Sequence, residues 1–276
     1  MAEIKTEGIK YAGSKLKLLP HIIEMTSELK DVKTVLDGFS GSTRVSQAFA
    51  QNGYAVTSND ISVWSEVFAT CYLLANNRPS YYQQILNYLN NLKGVDGWFT
   101  HYYGGDLNDA KKPFQIKNTQ KLDAVREEID TLQLSYEDKC VLLTSLILAL
   151  DKVDNTLGHY AAYLSKWSVR SHKEMELKLP LRLNVNSDNR VMKSDIFETV
   201  KKYSFDLAYL DPPYGTNNEK MPPSRVRYTS YYHLWTTIIN NDRPELFGKA
   251  NRRVDSRDSL TGSVFEEFRK NKNGDF

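Results

Sequence analysis

Two short apolar runs, joined by a turn and an amphipathic stretch, constrain the fold more than any other part of this sequence. Residues 34–39 form the first run, and a small polar turn then leads into the amphipathic stretch, which ends near Gln51. Residues 55–60 form a second β-rich run that closes on Asp60. This succession predicts a βαβ unit in a parallel sheet, because parallel neighbours need a long crossover. Ligands of such sheets gather at the carboxyl ends of the strands.

The rest of the sequence divides into a mainly helical part and a return to the sheet. In residues 62–185 apolar positions recur at helical spacing, and Ser135 with Asp138 predicts a capped helix start. Residues 205–210 are strand-like, and the prolines that follow end the strand, which places Asp211 at a carboxyl end. We therefore expect an α/β protein with a helical insertion.

Composition and charge exclude several classes of protein. The chain has 276 residues and enough apolar residues for a real core, while its net charge of +2 favours a nucleic-acid partner only weakly. Cys71 and Cys140 are too few and too isolated for a disulfide framework or a zinc site, so we expect no metal and a cytoplasmic location. The longest apolar run, residues 141–150, is far shorter than the ~20 residues that span a bilayer, so no membrane partner is expected.

The tetrapeptide Asp211-Pro212-Pro213-Tyr214 carries groups suited to chemistry on a nucleobase. The exocyclic amine of a base is a poor nucleophile, and hydrogen-bond acceptors are needed to return electron density to its nitrogen. The carboxylate of Asp211 and the carbonyl of Pro212 can supply two acceptors, while Tyr214 offers an aromatic face to a base lifted out of a duplex. Taken alone, the tetrapeptide is equally compatible with a turn that merely ends a strand.

The turn after the first strand has the features of a nucleoside site. Glycines in Asp37-Gly38-Phe39-Ser40-Gly41-Ser42-Thr43 allow the backbone to approach a ligand closely at a helix N-terminus. Asp60 follows about twenty residues later and suits a ribose diol. The segment is neither the dinucleotide Gly-x-Gly-x-x-Gly pattern nor a P-loop, so a nucleoside without phosphates fits better than NAD or ATP.

Four segments, in one order along the chain, resemble the DNA adenine-N6 methyltransferases of the D12 class: residues 10–19, 37–43, 59–60 and 211–214. The resemblance implies a Rossmann-like, S-adenosylmethionine-dependent methyltransferase sheet with a helical insertion for target recognition. It also implies a site-specific enzyme that methylates adenine N6 in double-stranded DNA, within a restriction-modification system. The three expected parts are 1–61, the cofactor-binding part of the core; 62–185, the helical insertion with target recognition; and 186–276, with the catalytic strand and a basic loop.

The same resemblance assigns residues to the cofactor and to catalysis. Tyr11 and Lys15 would lie at the methionine end of S-adenosylmethionine, and Asp60 at its ribose. Residues 211–214 would hold the base while N6 attacks the methyl group directly. The implied cofactor residues are Tyr11, Lys15, Asp37, Phe39, Ser40, Gly41, Asp60, Asp195, Ile196 and Asp211, with Asp195 and Ile196 beside the adenine. Cytosine-C5 methylation does not fit, because neither cysteine follows a proline.

Cations and aromatic residues after the tetrapeptide predict contact with DNA. The residues expected to touch it are Lys220, Arg225, Arg227, Tyr228, Arg252 and Arg253. Nearby, Tyr232 and Trp235 add aromatic faces on which bases could stack. The alternative is that these cations pair with acids such as Asp242 and Asp255 on a solvated surface.

The last stretch of the sequence departs from the family. Residues 255–276 are polar and lack the strands that members carry after the catalytic strand, so we expect an incomplete core that a second chain completes. A cognate restriction endonuclease is the other expected partner. Two alternatives stay open: a truncated relative that binds DNA or cofactor without activity, and a methyltransferase of RNA adenine or of cytosine N4.

Overall fold

The computed structural model describes residues 4–109, 111–183, 185, 188–213, 228–257 and 265. Within these ranges short strands alternate with helices of very different lengths, which confirms the predicted α/β class. The strands are β1 (Thr34–Asp37), β2 (Ala55–Asp60), β3 (Gly104–Gly105), β4 (Phe114–Gln115), β5 (Arg190–Lys193), β6 (Leu207–Tyr209), β7 (Leu246–Phe247) and β8 (Arg252–Arg253). The helices are α1 (Leu19–Ser27), α2 (Arg44–Gln51), α3 (Val63–Ala69), α4 (Pro79–Asn91), α5 (Trp98–Tyr103), α6 (Ile116–Thr131), α7 (Tyr136–Val153), α8 (Ile196–Lys202), α9 (Tyr228–Tyr231) and α10 (His233–Asn240).

Four parallel strands in the order β5-β2-β1-β6 form the central sheet. Asp37 in β1 lies opposite Ser58 in β2 and opposite Tyr209 in β6. Val35 and Val56, in the two central strands, are fully buried, as expected when helices cover a parallel sheet. Helices α2, α3 and α8 all pack against β2. The predicted βαβ unit and Rossmann-like sheet are therefore confirmed, and all four carboxyl ends lie along one edge.

The segment between β2 and β5 is largely helical, and its core is continuous with that of the sheet. Helix α3 packs on β2 and β5 as well as on α7, so residue 62 marks no break in the core. The Oγ of Ser135 accepts a hydrogen bond from the backbone N of Asp138 at 3.2 Å, which confirms the predicted capped start of α7. Among the helices of the described ranges, none is at once long and apolar enough to cross a membrane.

A buried arginine ties this helical segment to the helices that follow the catalytic strand. Arg126 in α6 is 1% exposed, and it donates hydrogen bonds to the carbonyls of Ile238 at 2.5 Å and Ile239 at 2.9 Å. Its Nη1 lies 2.8 Å from a carboxylate oxygen of Asp130. Carbonyls in the last turn of a helix have no partner within that helix. The guanidinium therefore supplies hydrogen-bond donors to the carbonyls at the end of α10, and it fixes the position of this helix.

Two aromatic residues in and beside α10 lie in the core rather than on the surface. Tyr232 and Trp235 are both 0% exposed. The ring of Tyr160 rests edge-on against Trp235, with centroids 4.6 Å apart. The expectation that Tyr232 and Trp235 stack on DNA bases is therefore wrong. Their segment is aromatic because it packs against the helical part of the protein.

Replacing Arg126 by methionine should strongly destabilise the protein. Arg126→Met keeps much of the side-chain volume but leaves two buried carbonyls and Asp130 without their cation, for an expected loss of about 3 kcal/mol in the free energy of unfolding. Arg243→Gln is the matched control, because Arg243 and its partner Glu127 are both more than half exposed and should contribute less than about 1 kcal/mol. Urea denaturation measures both variants. Equal losses would show that the buried arginine does not hold these helices.

Candidate active site

A deep cleft opens at the carboxyl ends of the parallel strands, where ligands of such sheets bind. It encloses about 930 Å³ including its mouth, which is ample for a small molecule. The residues singled out from the sequence that line it are Tyr11, Lys15, Phe39, Asp60, Asp195, Ile196, Asp211, Pro212, Pro213 and Tyr228. The fold thus brings together residues from segments that are far apart in the sequence.

A buried amide at the end of β2 joins the loops that surround the cleft. The Nδ2 of Asn59 donates to the carbonyl of Gly38, after β1, at 3.1 Å and to that of Ser194, after β5, at 3.2 Å. Its Oδ1 accepts from the hydroxyl of Thr199 in α8 at 2.8 Å. Both polar atoms of its side chain therefore form hydrogen bonds. These bonds hold the loop after β1, the loop after β5 and helix α8 at fixed distances from β2.

Asp60, the next residue, shapes the turn that follows β1. Its Oδ2 accepts from the backbone N of Gly41 at 2.9 Å, and its Oδ1 accepts from that of Ser62 at 2.9 Å. Burial raises the pKa of Asp60, and these backbone hydrogen bonds oppose the shift. Gly41 has a φ of +48°, and a β-carbon there would lie 3.1 Å from the hydroxyl of Tyr11. Glycine meets both requirements at this position.

Tyr11 is the centre of an aromatic wall on one side of the cleft. Its ring stacks on Tyr232 with centroids 4.9 Å apart, and it lies 5.6 Å from the rings of Trp64 and Tyr228. The hydroxyl of Tyr232 accepts a hydrogen bond from the backbone N of Ala12 at 2.8 Å. The wall therefore joins the N-terminal segment to α3 and α9 and gives the cleft an apolar surface.

Charged groups beside this wall anchor the same N-terminal segment to the helical part. The Nζ of Lys10 lies 2.5 Å from Oδ1 of Asp154 and also donates to the carbonyl of Asp151. Asp154 is fully buried and accepts further hydrogen bonds from Arg170 at 2.9 Å and Thr156 at 2.6 Å. A buried carboxylate without such partners would be very costly. The network thus fixes the chain just before Tyr11.

Asp211 follows β6 and reaches the cleft with a cation at its side. The Nζ of Lys15 lies 2.6 Å from Oδ2 of Asp211, and both side chains are less than one-fifth exposed. Pro212 and Pro213 line the cleft next to it. Tyr214 lies outside the described residues. The carboxylate and the carbonyl after it are hydrogen-bond acceptors of the kind that bind an amine.

Comparison with known proteins gives the same assignment as the order of the segments. Residues 11–266 match the family described as D12 class N6 adenine-specific DNA methyltransferase. This chain belongs to that family. The resemblance inferred from the sequence is therefore confirmed.

Curated relatives of this D12-class chain are modification methylases. It is 32% identical over 265 residues to the modification methylase LlaI of Lactococcus lactis subsp. lactis, covering 89% of this chain and 40% of the relative. It is 32% identical over 258 residues to the modification methylase StsI of Streptococcus sanguinis, covering 87% and 37%. It is 29% identical over 260 residues to the Type II methyltransferase M.NlaIII of Neisseria lactamica, covering 90% and 74%. The chain thus spans about two-fifths of the length of the first two relatives.

In this D12-class chain Asp37 lies in a smaller recess beside the cleft rather than in the cleft itself. Its side chain is 1% exposed, and its Oδ2 accepts a hydrogen bond from the hydroxyl of Ser46 at 2.6 Å. Burial raises the pKa of Asp37 to about 7, against the opposing effect of Ser46 and with smaller contributions from Asp60 and Asp211. Ser40 and Gly41, also assigned to the cofactor from the sequence, line the same recess.

The start of α8 forms the remaining wall. Asp195 caps this helix by accepting a hydrogen bond from the backbone N of Phe197 at 2.8 Å, and Ile196 lines the cleft. Phe265 also lines it, with its ring 5.2 Å from that of Phe39 and 5.7 Å from that of Phe197. Phe265 was not predicted from the sequence, because it lies in a polar stretch and its ring partners, Phe39 and Phe197, are far from it along the chain.

Trp64 is a second lining residue that the sequence analysis did not single out. A signal for it was present, since Trp64 stands four residues after the strand-ending Asp60, at the start of a helix. Residues in that position lie beside the carboxyl edge of a parallel sheet. Ser194 likewise lines the cleft and follows β5 directly.

The expected DNA-contacting residues have different locations. Tyr228 lines the cleft. The guanidinium of Arg252 lies 4.6 Å from the ring centroid of Phe247, and its side chain is partly exposed. The three that lie outside the described residues are Lys220, Arg225 and Arg227. Contact of Tyr228 and Arg252 with DNA stays a prediction.

Arg253 was also expected to contact DNA, but its side chain is nearly buried inside the protein. Its side chain is 7% exposed, and its guanidinium forms ion pairs at 2.7 Å with Asp242 and with Asp255. A guanidinium that is nearly buried and already bound by two carboxylates has little surface to offer a phosphate. The alternative considered from the sequence, pairing with these acids, is what the structure shows for Arg253.

Asp37→Asn should change how stability depends on pH. Because the folded protein holds the Asp37 proton more tightly than the unfolded chain does, this stabilisation is present below the ordinary pKa of 3.8 and is lost as the pH rises to about 7. The wild type should therefore lose roughly 3 kcal/mol relative to Asp37→Asn between about pH 5 and about pH 8. Urea denaturation of both proteins at the two pH values measures the difference. A constant difference would show that Asp37 ionises normally.

Proposed function

We propose that this chain binds S-adenosylmethionine and transfers its methyl group to N6 of adenine in double-stranded DNA. The observation that carries the proposal is one cleft in which Asp60 and Asp211 face the same space. A carboxylate at the end of the second strand suits a ribose diol, and one after the last strand of the sheet suits an amine. Membership of the D12 class supports adenine N6 as the methylated atom.

The cleft suits S-adenosylmethionine in shape and in chemistry. A β-carbon at Gly38 would lie 2.7 Å from Leu210 and 2.9 Å from Ile196, so the bare backbone of the turn packs directly against the wall. Phe39 and Ile196 offer apolar faces for an adenine ring. The carboxylate of Asp60 has lone pairs beyond those that bind Gly41 and Ser62, and these can accept from ribose hydroxyls.

The side chains around the cleft define how a target base would be held. The cofactor would supply a methyl group on a positively charged sulfonium. Asp211 and the carbonyl of Pro212 would accept hydrogen bonds from the adenine amine and draw electron density toward N6. Lys15 orients the Asp211 carboxylate through their 2.6 Å ion pair. Tyr11 and Tyr228 offer aromatic surface to a base lifted from the duplex, and positioning would lower the barrier without a covalent intermediate.

We further infer that the protein acts as the modification enzyme of a restriction-modification system. LlaI and StsI are named as modification methylases, which supports this assignment by similarity. A cognate restriction endonuclease is a proposed partner. Target recognition is assigned to residues 62–185.

Two substitutions should separate chemistry from cofactor binding. Asp211→Ala should lower methyl transfer roughly 100- to 1,000-fold, because the amine loses a preorganised acceptor, and it should weaken S-adenosylmethionine binding less than Asp60→Ala does. Asp60→Ala should weaken S-adenosylmethionine binding roughly 10- to 100-fold, because the ribose loses a charged acceptor. Calorimetry measures cofactor binding. Transfer of tritiated methyl to unmethylated bacterial DNA, followed by digestion to nucleosides, measures turnover and identifies the product.

Glu176→Gln is the matched control, because its carboxylate is 65% exposed and pairs only with Lys178 among the described residues. Label in N6-methyladenine that survives Asp211→Ala would refute the assigned chemistry. Cofactor binding by the wild type without any label in DNA would favour a binding relative without activity. Label in N4-methylcytosine or in RNA would change the substrate.

A further inference from the structure

A second depression, separate from the cleft, carries positive charge. It is a groove of about 670 Å³ between residues 161–165, which follow α7, and the β7–β8 hairpin. Its cations come from two places: Lys111 between β3 and β4, and Lys249 and Arg252 in the hairpin. On the other side, the small side chains of Ala161, Ala162 and Ser165 line the groove together with the larger Tyr163. We call this depression the basic groove.

Among the residues that the structure describes, no acidic side chain neutralises the charge of the basic groove. Within the part of the chain that the structure describes, none of Lys111, Lys249 and Arg252 forms an ion pair, and no Asp or Glu lines the groove. Arg252 instead lies over the ring of Phe247, which leaves its hydrogen-bond donors to other partners. Three cations that have no acidic partner among the described residues repel one another around this depression, and a polyanion would relieve that repulsion.

Neighbouring arginines show that the lack of pairing is selective. Arg253, next to Arg252, is bound by Asp242 and Asp255. Arg170, which follows the loop 161–165, is held by the buried Asp154. The chain therefore supplies carboxylates to the arginines that support its structure and none to the cations of the basic groove, within the described residues.

The walls of the basic groove are fixed by hydrogen bonds to the hairpin backbone. The hydroxyl of Tyr163 donates to the carbonyl of Ala250 at 2.6 Å, and that of Tyr103 donates to the carbonyl of Asn251 at 2.7 Å. The side chain of Asn251 returns a hydrogen bond to the carbonyl of Tyr102 at 2.7 Å. A preorganised site of this kind loses less entropy when a ligand binds.

One wall of the basic groove is also connected to the cleft. The backbone N of Tyr160 donates to the carbonyl of Tyr231 at 2.7 Å, and the ring of His159 stacks on that of Tyr231 at 4.7 Å. Tyr231 is in α9 together with Tyr228, which lines the cleft, and their rings are 6.2 Å apart. A polymer bound in the groove would therefore lie against the same structural unit as a base bound in the cleft.

We propose that the basic groove binds backbone phosphates of the DNA duplex whose adenine enters the cleft. The inference rests on the proposed function and extends it, because Lys249 and Arg252 belong to a hairpin outside residues 62–185. Lysine and arginine side chains supply many of the contacts that proteins make to backbone phosphates, and the small side chains of Ala161, Ala162 and Ser165 leave room for a sugar-phosphate strand. The groove therefore contributes affinity for DNA and fixes the position of the duplex on the protein, while other residues recognise the base sequence.

Salt dependence of DNA binding tests this proposal without knowledge of the recognised sequence. The proteins are the wild type, Lys111→Gln, Lys249→Gln, Arg252→Gln and the triple variant, titrated without cofactor onto a short fluorescein-labelled DNA duplex. Each lost contact should lower the slope of log K against log salt by about 0.9 and weaken binding about eightfold near 0.1 M salt. Arg243→Gln, a cation paired with Glu127, is the control and should leave the slope unchanged.

Separate readouts keep this inference apart from the proposed function. Thermal unfolding shows whether Arg252→Gln folds. Lys249 is exposed, so Lys249→Glu reverses a charge without repacking and should weaken DNA binding more than Lys249→Gln does. A wild-type slope in the triple variant, or tighter binding of an RNA duplex of the same sequence, would overturn the basic groove as a DNA site. Methylation of bacterial DNA by the wild type is measured independently, so an inactive enzyme with intact groove effects would refute only the proposed function.

Discussion

The cleft depends on two consecutive side chains at the end of β2, the strand that lies between β1 and β5. Successive residues of a strand point to opposite faces, so Asn59 and Asp60 reach different surroundings from one position in the sheet. Asn59 is buried and bonds to the carbonyls of Gly38 and Ser194, which follow the two neighbouring strands. Asp60 holds the turn at Gly41 and still lines the cleft. One strand end thus builds the site and also supplies its acid.

Concentrating carboxylates at this edge has an electrostatic cost that the surrounding groups reduce. Asp37 is affected by both Asp60 and Asp211, and burial raises its pKa to about 7. Ser46, the backbone N of Gly41 and the ammonium of Lys15 each bind one of the three acids. The remaining repulsion disfavours the empty site and favours a positively charged ligand. A sulfonium has that charge, which is consistent with the proposed cofactor.

Local sequence patterns predicted the sheet and most of the cleft, because the determinants of both are short in range. The strand ends and their turns are encoded in segments of about ten residues, and parallel pairing then brings their carboxyl ends together. Contacts between residues far apart in the sequence could not be predicted from these local patterns. Nothing near Arg126 indicates that it will bind Ile238 and Ile239, 112 and 113 residues away. For the same reason the burial of Trp235 and the approach of Phe265 to the cleft could not be inferred.

The pair Arg252 and Arg253 shows how backbone geometry decides between functions that charge alone cannot distinguish. Both residues form β8, which pairs with β7 in a hairpin, and adjacent residues of a strand face opposite ways. One side of the hairpin packs on the protein, so the side chain that faces inward must be neutralised, and Asp242 and Asp255 do this for Arg253. The other side faces the basic groove, where Arg252 remains outside any ion pair that the structure describes. Two adjacent arginines in a short strand therefore cannot both contact DNA. The ion pairs of Arg253 hold the hairpin in place, and this positions Arg252 at the basic groove.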